Sequence, residues 1–217
     1  MELSIFDVIG NGVGNVEISE VIKNKLKEKY QEEFIVKKIG NRYGTSTEDN
    51  VKTYCFPKNN TELIFTATLN KEQTILEDDY PIRDVAFQLE EYIKNKFKDK
   101  EIDVIVKCDI IGKNKLNEFL SLQQFMEQFK GVSFLTYIIS KNIIEEDIIR
   151  DVYNEIEKKY KDIYLKTIVY MLNEDGFKQC EIIASDSPII TDSIIEKYAI
   201  MDEKIIKIFE GKIYRIK

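Results

Sequence analysis

Three cysteines and no histidine limit the nucleophilic chemistry that this chain can perform. Without histidine, Ser-His-Asp and Cys-His catalysis, His-ligated zinc or haem and a histidine pH switch are all excluded. A thiol here would need a lysine neighbour or a helix N-terminus to lower its pKa. Cys55, Cys108 and Cys180 each lie within an apolar, strand-like run, so we expect three buried thiols, no disulfide scaffold and no catalytic residue.

Two acidic clusters have the residue types that bind Mg²⁺ or Ca²⁺. They are residues 77–79 (EDD) and residues 145–147 (EED), and neither has the glycine-spaced pattern of a twelve-residue calcium loop. Both precede predicted helices, where acidic side chains offset the helix dipole. We therefore expect helix capping from both clusters, with no metal site and no cofactor.

Three loop segments have groups that can bind anions. Residues 10–15 (GNGVGN) partly match a dinucleotide-binding turn but lack its third glycine. Residues 40–47 (GNRYGTST) combine glycines, hydroxyls, Arg42 and Tyr43, which suits either an anion site or an interface hot spot. Residues 185–188 (SDSP) can bind phosphate, and their composition is also typical of a turn. We predict that all three are loops.

The charge balance favours a basic partner over nucleic acid. Asp and Glu number 39 against 32 Lys and Arg, which gives a net charge of −7. Proteins that bind nucleic acid usually carry the opposite balance. An acidic surface attracts basic proteins, although the same surface also simply maintains solubility.

The sequence gives some indication of location. It contains no apolar run close to the roughly 20 residues that span a bilayer. Residues 1–7 also lack the basic segment that precedes the apolar core of a signal peptide. An odd number of cysteines without a framework is typical of a reducing compartment. We expect a cytoplasmic protein, with the cell envelope as the alternative if a signal sequence has been removed.

The order of predicted elements favours an α+β fold. The sheet is mainly antiparallel, because several strands alternate apolar and polar residues; in one of them Lys107 and Asp109 alternate with apolar neighbours. We expect helices packed on one face and two similar lobes: residues 1–110 (α-β-β-β-α-β) and residues 111–217 (α-β-α-β-β-α-β-β). Asn142 is predicted to cap a helix over residues 143–160, and residues 165–172 and 177–183 are predicted to form a hairpin.

A pattern of residues over about 22–92 resembles a family of small bacterial proteins without known function, among them surface lipoproteins and neighbours of secreted-toxin genes. The pattern comprises Lys29-Tyr30-x-Glu32-x-Phe34-x-Val36, Gly40-Asn41-Arg42-Tyr43-Gly44, Tyr54-x-x-Pro57-Lys58-Asn59, Phe65-Thr66-Ala67 and Asp78-Asp79-Tyr80. This resemblance implies a helix, three strands and a helix, and it brings no active site. The chain lacks the lipid-attachment cysteine of the lipoproteins near its start.

Together these observations favour a non-enzymatic protein-binding module of the immunity type, which neutralises a cognate toxin. Aromatic side chains are plentiful, with 12 Tyr and 12 Phe, and suit such an interface. The residues expected to contact the partner are Arg42, Tyr43, Asp78, Asp79 and Tyr80. Two alternatives remain: an envelope-associated domain with an unknown ligand, and a phage-borne inhibitor of host defence whose carboxylates mimic DNA phosphates.

Overall fold

The computed structural model describes residues 13–39, 50–113, 115–161, 163–195, 205–209 and 212–216. It confirms the predicted α+β fold with mostly antiparallel sheet. The chain divides into two compact units, a first unit of Met1–Tyr80 and a second unit of Pro81–Lys217. This division lies some thirty residues before the predicted boundary near residue 110, because the strand that ends there pairs with the next strand of the chain.

The first unit contains one helix and a four-stranded antiparallel sheet in the order β1-β2-β3-β4. In helix α1, Ile18, Ile22 and Leu26 recur every four residues and form its buried side. Strand β3 alternates buried and half-buried residues, as expected for a sheet with one face in the core. The elements are α1 (Val13–Tyr30), β1 (Phe34–Ile39), β2 (Asn50–Pro57), β3 (Phe65–Asn70) and β4 (Leu76–Asp78).

The second unit contains a five-stranded sheet in the order β5-β6-β7-β8-β9. All neighbouring strands are antiparallel except β6 and β7, which are parallel and are connected through α4. The elements are α2 (Tyr80–Lys98), which begins at the last residue of the first unit, β5 (Val104–Ile111), α3 (Leu122–Gln128), β6 (Ser133–Ser140), α4 (Glu146–Lys159), β7 (Tyr164–Met171), α5 (Glu174–Ala184), α6 (Asp192–Ile195), β8 (Ile205–Phe209) and β9 (Lys212–Ile216).

Apolar clusters lie on both faces of the second sheet. The larger cluster joins one face to α2, α3 and α4, through residues such as Leu89, Phe134 and Val152. The smaller cluster joins the opposite face to α5 and α6, through residues such as Tyr170 and Phe177. Both faces of the second sheet therefore contribute to the core of this unit.

The predicted hairpin over residues 165–183 is wrong in its second half, which is helix α5. The predicted hairpin makes Asn173 a turn residue, but its side chain accepts the N–H of Gly176 at 2.8 Å and caps the helix. Glu174 and Asp175 follow in the first helical turn, where the dipole favours acids. Phe177, Cys180 and Ala184 are buried at helical spacing, so Cys180 lies on a helix and not on a strand.

Helix α4 also begins later than predicted. Its N-cap is Glu145 rather than Asn142, and no side chain there makes a capping hydrogen bond. Glu146 and Asp147 lie in the first turn, so the second acidic cluster does begin a helix as predicted.

Candidate functional site

The five residues predicted to contact a partner fall into two groups. Arg42 and Tyr43 lie outside the described residues, as does the whole segment 40–47. Asp78, Asp79 and Tyr80 lie where β4 ends and α2 begins.

Asp78 is the centre of a polar cluster inside the first unit. Its side chain is 0% exposed, and it accepts hydrogen bonds from Lys29 Nζ at 2.8 Å, Tyr30 Oη at 2.5 Å and the backbone N–H of Tyr80 at 3.2 Å. Burial, followed by the hydrogen bond to Asp78, raises the pKa of Tyr30 far above its ordinary value. Tyr30 therefore remains a proton donor, and the Lys29 ammonium balances the buried carboxylate.

Tyr80 is buried in an aromatic cluster. Its ring stacks on Phe65 with centroids 4.6 Å apart, and it forms T-shaped pairs with Tyr30 and Phe34 at centroid distances of 5.1 and 5.4 Å. Asp79 is half-buried, and its Oδ1 accepts the N–H of Thr66 at 2.6 Å. Asp78, Asp79 and Tyr80 thus help to hold the first unit together, and Asp78 and Tyr80 present little surface to a partner.

The three cysteines are buried and free, as predicted. Burial raises the pKa of the Cys55 thiol to about 12. Burial, with a smaller contribution from the Glu90 charge, raises the pKa of Cys108 further. Both thiols are therefore protonated at neutral pH, and thiols in that state are poor nucleophiles.

A buried ion pair in the second unit was not predicted from the sequence. Arg83 and Glu90 both belong to α2, and Arg83 Nη2 lies 2.7 and 2.9 Å from the two carboxylate oxygens of Glu90. Glu90 Oε1 also accepts the N–H of Cys108 at 2.6 Å, and Arg83 Nη1 donates to the Cys108 carbonyl at 3.5 Å. Seven residues separate the pair, a two-turn spacing on one helix face, but only the fold brings Cys108 to them.

One face of the second sheet is covered at one end by α5, α6 and Ile190. At the covered end, Tyr137, Ile139, Ile168 and Tyr170 pack under α5, α6 and Ile190. At the other end of the same face, cross-strand neighbours lie in two rows that reach solvent. These rows, which we call the open face, are Ile111–Ser133–Tyr164 and Asp109–Leu135–Lys166.

The open face has an apolar and aromatic composition with one charge of each sign. Ile111 is 47% exposed and Tyr164 is 51% exposed, although both are large apolar or amphipathic residues. Asp109 and Lys166 are exposed, while Ser133 and Leu135 are half-buried. Large apolar side chains gathered on one exposed surface are typical of interaction sites.

A cavity of about 90 Å³ lies where the open face meets the covered end. Its lining includes the apolar residues Leu135, Ile189 and Ile190 and the polar or amphipathic residues Lys107, Tyr137 and Thr191. Lys107 is only 7% exposed. The sequence shows the alternation that puts Lys107 and Asp109 on one strand face, but the segment 189–191 reaches them only through the tertiary fold.

Among the described residues, no group of three or more Cys, Asp or Glu side chains is arranged to hold a metal ion. No helix among these residues is long and apolar enough to cross a membrane.

Comparison with known proteins identifies a shared fold. No family model matches the chain, and no curated protein matches it. It is similar to the crystal structure of a DUF5037 family protein from Ruminococcus gnavus, with a TM-score of 0.65 and 17% sequence identity over 90% of this chain and 94% of that chain. At this identity, the similarity shows that the two chains share a fold and brings no function with it.

Proposed function

We propose that this protein is a non-enzymatic, cytoplasmic binding module of the immunity type, which neutralises a basic bacterial toxin by covering it. The observation that carries the proposal is the open face of the second sheet. Its exposed Ile111 and Tyr164 flank half-buried Ser133 and Leu135, so that a partner can bury apolar and aromatic area there. Aromatic anchors of this kind supply much of the affinity at protein interfaces.

The charge of the chain supports a basic partner. A net charge of −7 attracts a positively charged protein over several ångströms and raises the rate of productive encounters. Asp109 adds a carboxylate to the open face itself. The charge acts on the whole molecule, whereas the apolar rows define a particular surface for contact.

The burial of the charged groups and thiols discussed above also supports a binding role over a catalytic one. Asp78, Glu90 and Arg83 are buried in ion pairs that hold strands and helices in place. Raised pKa values keep Cys55 and Cys108 in their unreactive thiol forms. These side chains have structural roles that account for their burial.

The proposal is tested by co-expression with the proteins encoded beside its gene. A toxin among them should stop growth when expressed alone, and this protein should restore growth and co-purify with that toxin. If no neighbouring protein is neutralised or retained, the immunity role is wrong.

Two matched variants locate the interface. Ile111→Asp introduces a charge into the open face and should weaken toxin binding by at least about tenfold, because an exposed apolar contact is replaced by a carboxylate that binding would desolvate. Ile143→Asp makes the same change at a residue that is 75% exposed and lies outside the open face, so it should leave binding unchanged. Circular dichroism and thermal unfolding confirm that both variants are folded. Equal loss in both variants would contradict the assignment of the open face.

A further inference from the structure

The cavity beside the open face has a mostly apolar wall and is partly open to solvent. Leu135 belongs both to this wall and to the open face, so the two surfaces are continuous. Ile189 and Ile190 come from the segment between α5 and α6; Ile190 is 0% exposed and Ile189 is 40% exposed, so the wall extends from the interior to the surface. An apolar group that enters the cavity from outside is therefore removed from water.

The polar side chains of the wall are already engaged within the protein. Thr191 Oγ1 and Ser193 Oγ lie 3.0 Å apart and share a hydrogen bond. Lys107 and Tyr137 are buried and also interact with other groups of the protein. A ligand with many hydrogen-bonding groups would have to displace these contacts, whereas an aliphatic group needs no hydrogen bonds. The wall therefore favours an aliphatic occupant.

Asp109 gives the rim of the cavity a negative charge. Of the two charged residues in the lining, Asp109 is exposed and Lys107 is buried, so the charge that an approaching partner meets is negative. Asp109 Oδ1 accepts the N–H of Ile110 at 2.9 Å, and this hydrogen bond fixes the carboxylate at the rim. The net charge of −7 has the same sign. The rim is therefore complementary to a basic side chain.

We propose that the cavity receives an aliphatic side chain of the toxin, such as Leu, Ile or Met, and that a Lys or Arg next to it in the toxin pairs with Asp109. The aliphatic side chain supplies affinity through its burial, and the basic side chain fixes its register. This inference rests on the proposed function, because it names the part of the toxin that the open face recognises. Ile111 and Tyr164 then remain available to the rest of the toxin surface.

The test titrates the full-length ¹⁵N-labelled protein with three blocked tripeptides at constant ionic strength and follows its amide chemical shifts. Acetyl-Lys-Leu-Lys-amide has both expected features. Acetyl-Lys-Asn-Lys-amide keeps the charges and replaces the aliphatic side chain with a polar one, whereas acetyl-Glu-Leu-Glu-amide keeps the leucine and reverses the charges. The first peptide should cause saturable shifts in residues 107–109, 135–137 and 189–191. It should bind at least about tenfold more tightly than Lys-Asn-Lys and about threefold more tightly than Glu-Leu-Glu.

Two variants with matched controls assign the binding to the cavity. Leu135→Trp enlarges a side chain of the wall and should weaken Lys-Leu-Lys binding by about tenfold or more. Ile143→Trp makes a similar change at a 75% exposed residue outside the lining and should leave binding unchanged. Asp109→Asn should weaken binding by roughly two- to fivefold. Glu157→Gln, at an exposed residue of α4, changes the net charge equally and should have no effect.

Binding of Lys-Leu-Lys that both cavity variants weaken and both controls leave intact supports the inference. Equal binding of Lys-Leu-Lys and Lys-Asn-Lys, no binding of any peptide, or binding that Leu135→Trp leaves intact would overturn it. If Leu135→Trp does not fold, the peptide comparison and Asp109→Asn decide the question. Equal binding of Lys-Leu-Lys and Glu-Leu-Glu would overturn the pairing with Asp109.

This test and the co-expression test fail separately. Rescue of growth without peptide binding would reject the cavity as the anchor site and keep the immunity role. Peptide binding without rescue would reject the toxin as the occupant and leave a site for an aliphatic side chain beside a basic one.

Discussion

The hydroxyl of Tyr30 has a clear energetic role, because it donates to a carboxylate that is fully buried. Tyr30→Phe removes this donor and leaves Asp78 with fewer hydrogen bonds. We expect the free energy of unfolding at pH 7 to fall by about 1–3 kcal/mol. Urea denaturation measures the change. Tyr164→Phe, at an exposed tyrosine, is the matched control and should change stability by less than about 0.5 kcal/mol.

The stability difference between the natural protein and Tyr30→Phe should depend on pH. The pKa of Tyr30 is raised in the folded state, so the unfolded chain loses this proton first as pH increases past about 10. The unfolded state then binds fewer protons than the native state, and the contribution of Tyr30 to stability falls. The stability difference between the natural protein and Tyr30→Phe should therefore shrink between pH 7 and pH 10.5. A difference that stays constant or grows would contradict the assigned hydrogen bond.

At the level of single residues, the sequence predicts burial better than it predicts roles. The burial of all three cysteines follows from their apolar surroundings. The roles of Asp78 and Tyr80 do not, because an acidic residue beside a tyrosine has the same composition in a core cluster as on an interface. Lys29, Tyr30 and Phe65 decide between these possibilities, and they reach Asp78 and Tyr80 only through the tertiary fold.

Among the elements, β5 is an edge strand, and two of its backbone N–H groups donate hydrogen bonds to carboxylate side chains. The N–H of Cys108 is bound by Glu90 and the N–H of Ile110 by Asp109, at positions where another strand would otherwise pair. Carboxylates at these positions occupy the N–H groups of the edge strand and so disfavour its pairing with a strand of another chain. The Arg83–Glu90 pair thus has two functions: it neutralises charge inside α2 and it caps β5.

The Arg83–Glu90 pair should behave non-additively on mutation. Glu90→Gln leaves the buried guanidinium of Arg83 without its balancing charge and should lower the free energy of unfolding by about 3–5 kcal/mol. Arg83→Met combined with Glu90→Gln should cost much less, because no charge remains buried and the Gln oxygen still accepts the Cys108 N–H. Denaturant midpoints of the two single variants and the double variant measure the coupling.

An exposed ion pair provides the control for this experiment. Glu20→Gln breaks the pair between Lys23 and Glu20 and should cost under about 1 kcal/mol. If Glu90→Gln costs as little as Glu20→Gln, or if the double variant loses the sum of the two single variants, the charge-balancing role of the buried pair is wrong.

Local sequence patterns predict most of the helices and strands. They fail where one pattern is compatible with two kinds of structure. Strands β2 and β3 follow from alternation of apolar residues, and the two strands predicted to end the second lobe are present as β8 and β9, which pair with each other. Helix α5 was missed because Asn173 to Gly176 has the composition of both a hairpin turn and a helix start. Buried Phe177, Cys180 and Ala184 at helical spacing were the signal that distinguishes the two.

At the scale of the whole molecule, the sequence predicts the α+β class but not the division between units. Class depends on alternation and element order, which are local. The division depends on the pairing of β5 with β6, a contact formed across the intervening α3. The open face and its cavity likewise depend on which end of a sheet α5 and the segment 189–191 cover. Such long-range contacts leave no fixed spacing in the sequence.

The division into two units can be tested in the intact chain with its own cysteines as reporters. Cys55 belongs to the first unit, whereas Cys108 and Cys180 lie in the second, on opposite sides of one sheet. A buried thiol reacts with a labelling reagent only when the structure around it opens. Labelling measured by mass spectrometry across a urea series should therefore give one shared midpoint for Cys108 and Cys180 and a different midpoint for Cys55. A common midpoint for all three would mean that the chain unfolds as one cooperative body. Separate midpoints for Cys108 and Cys180 would mean that α5 opens apart from the sheet it covers, and the open face would then extend beneath it.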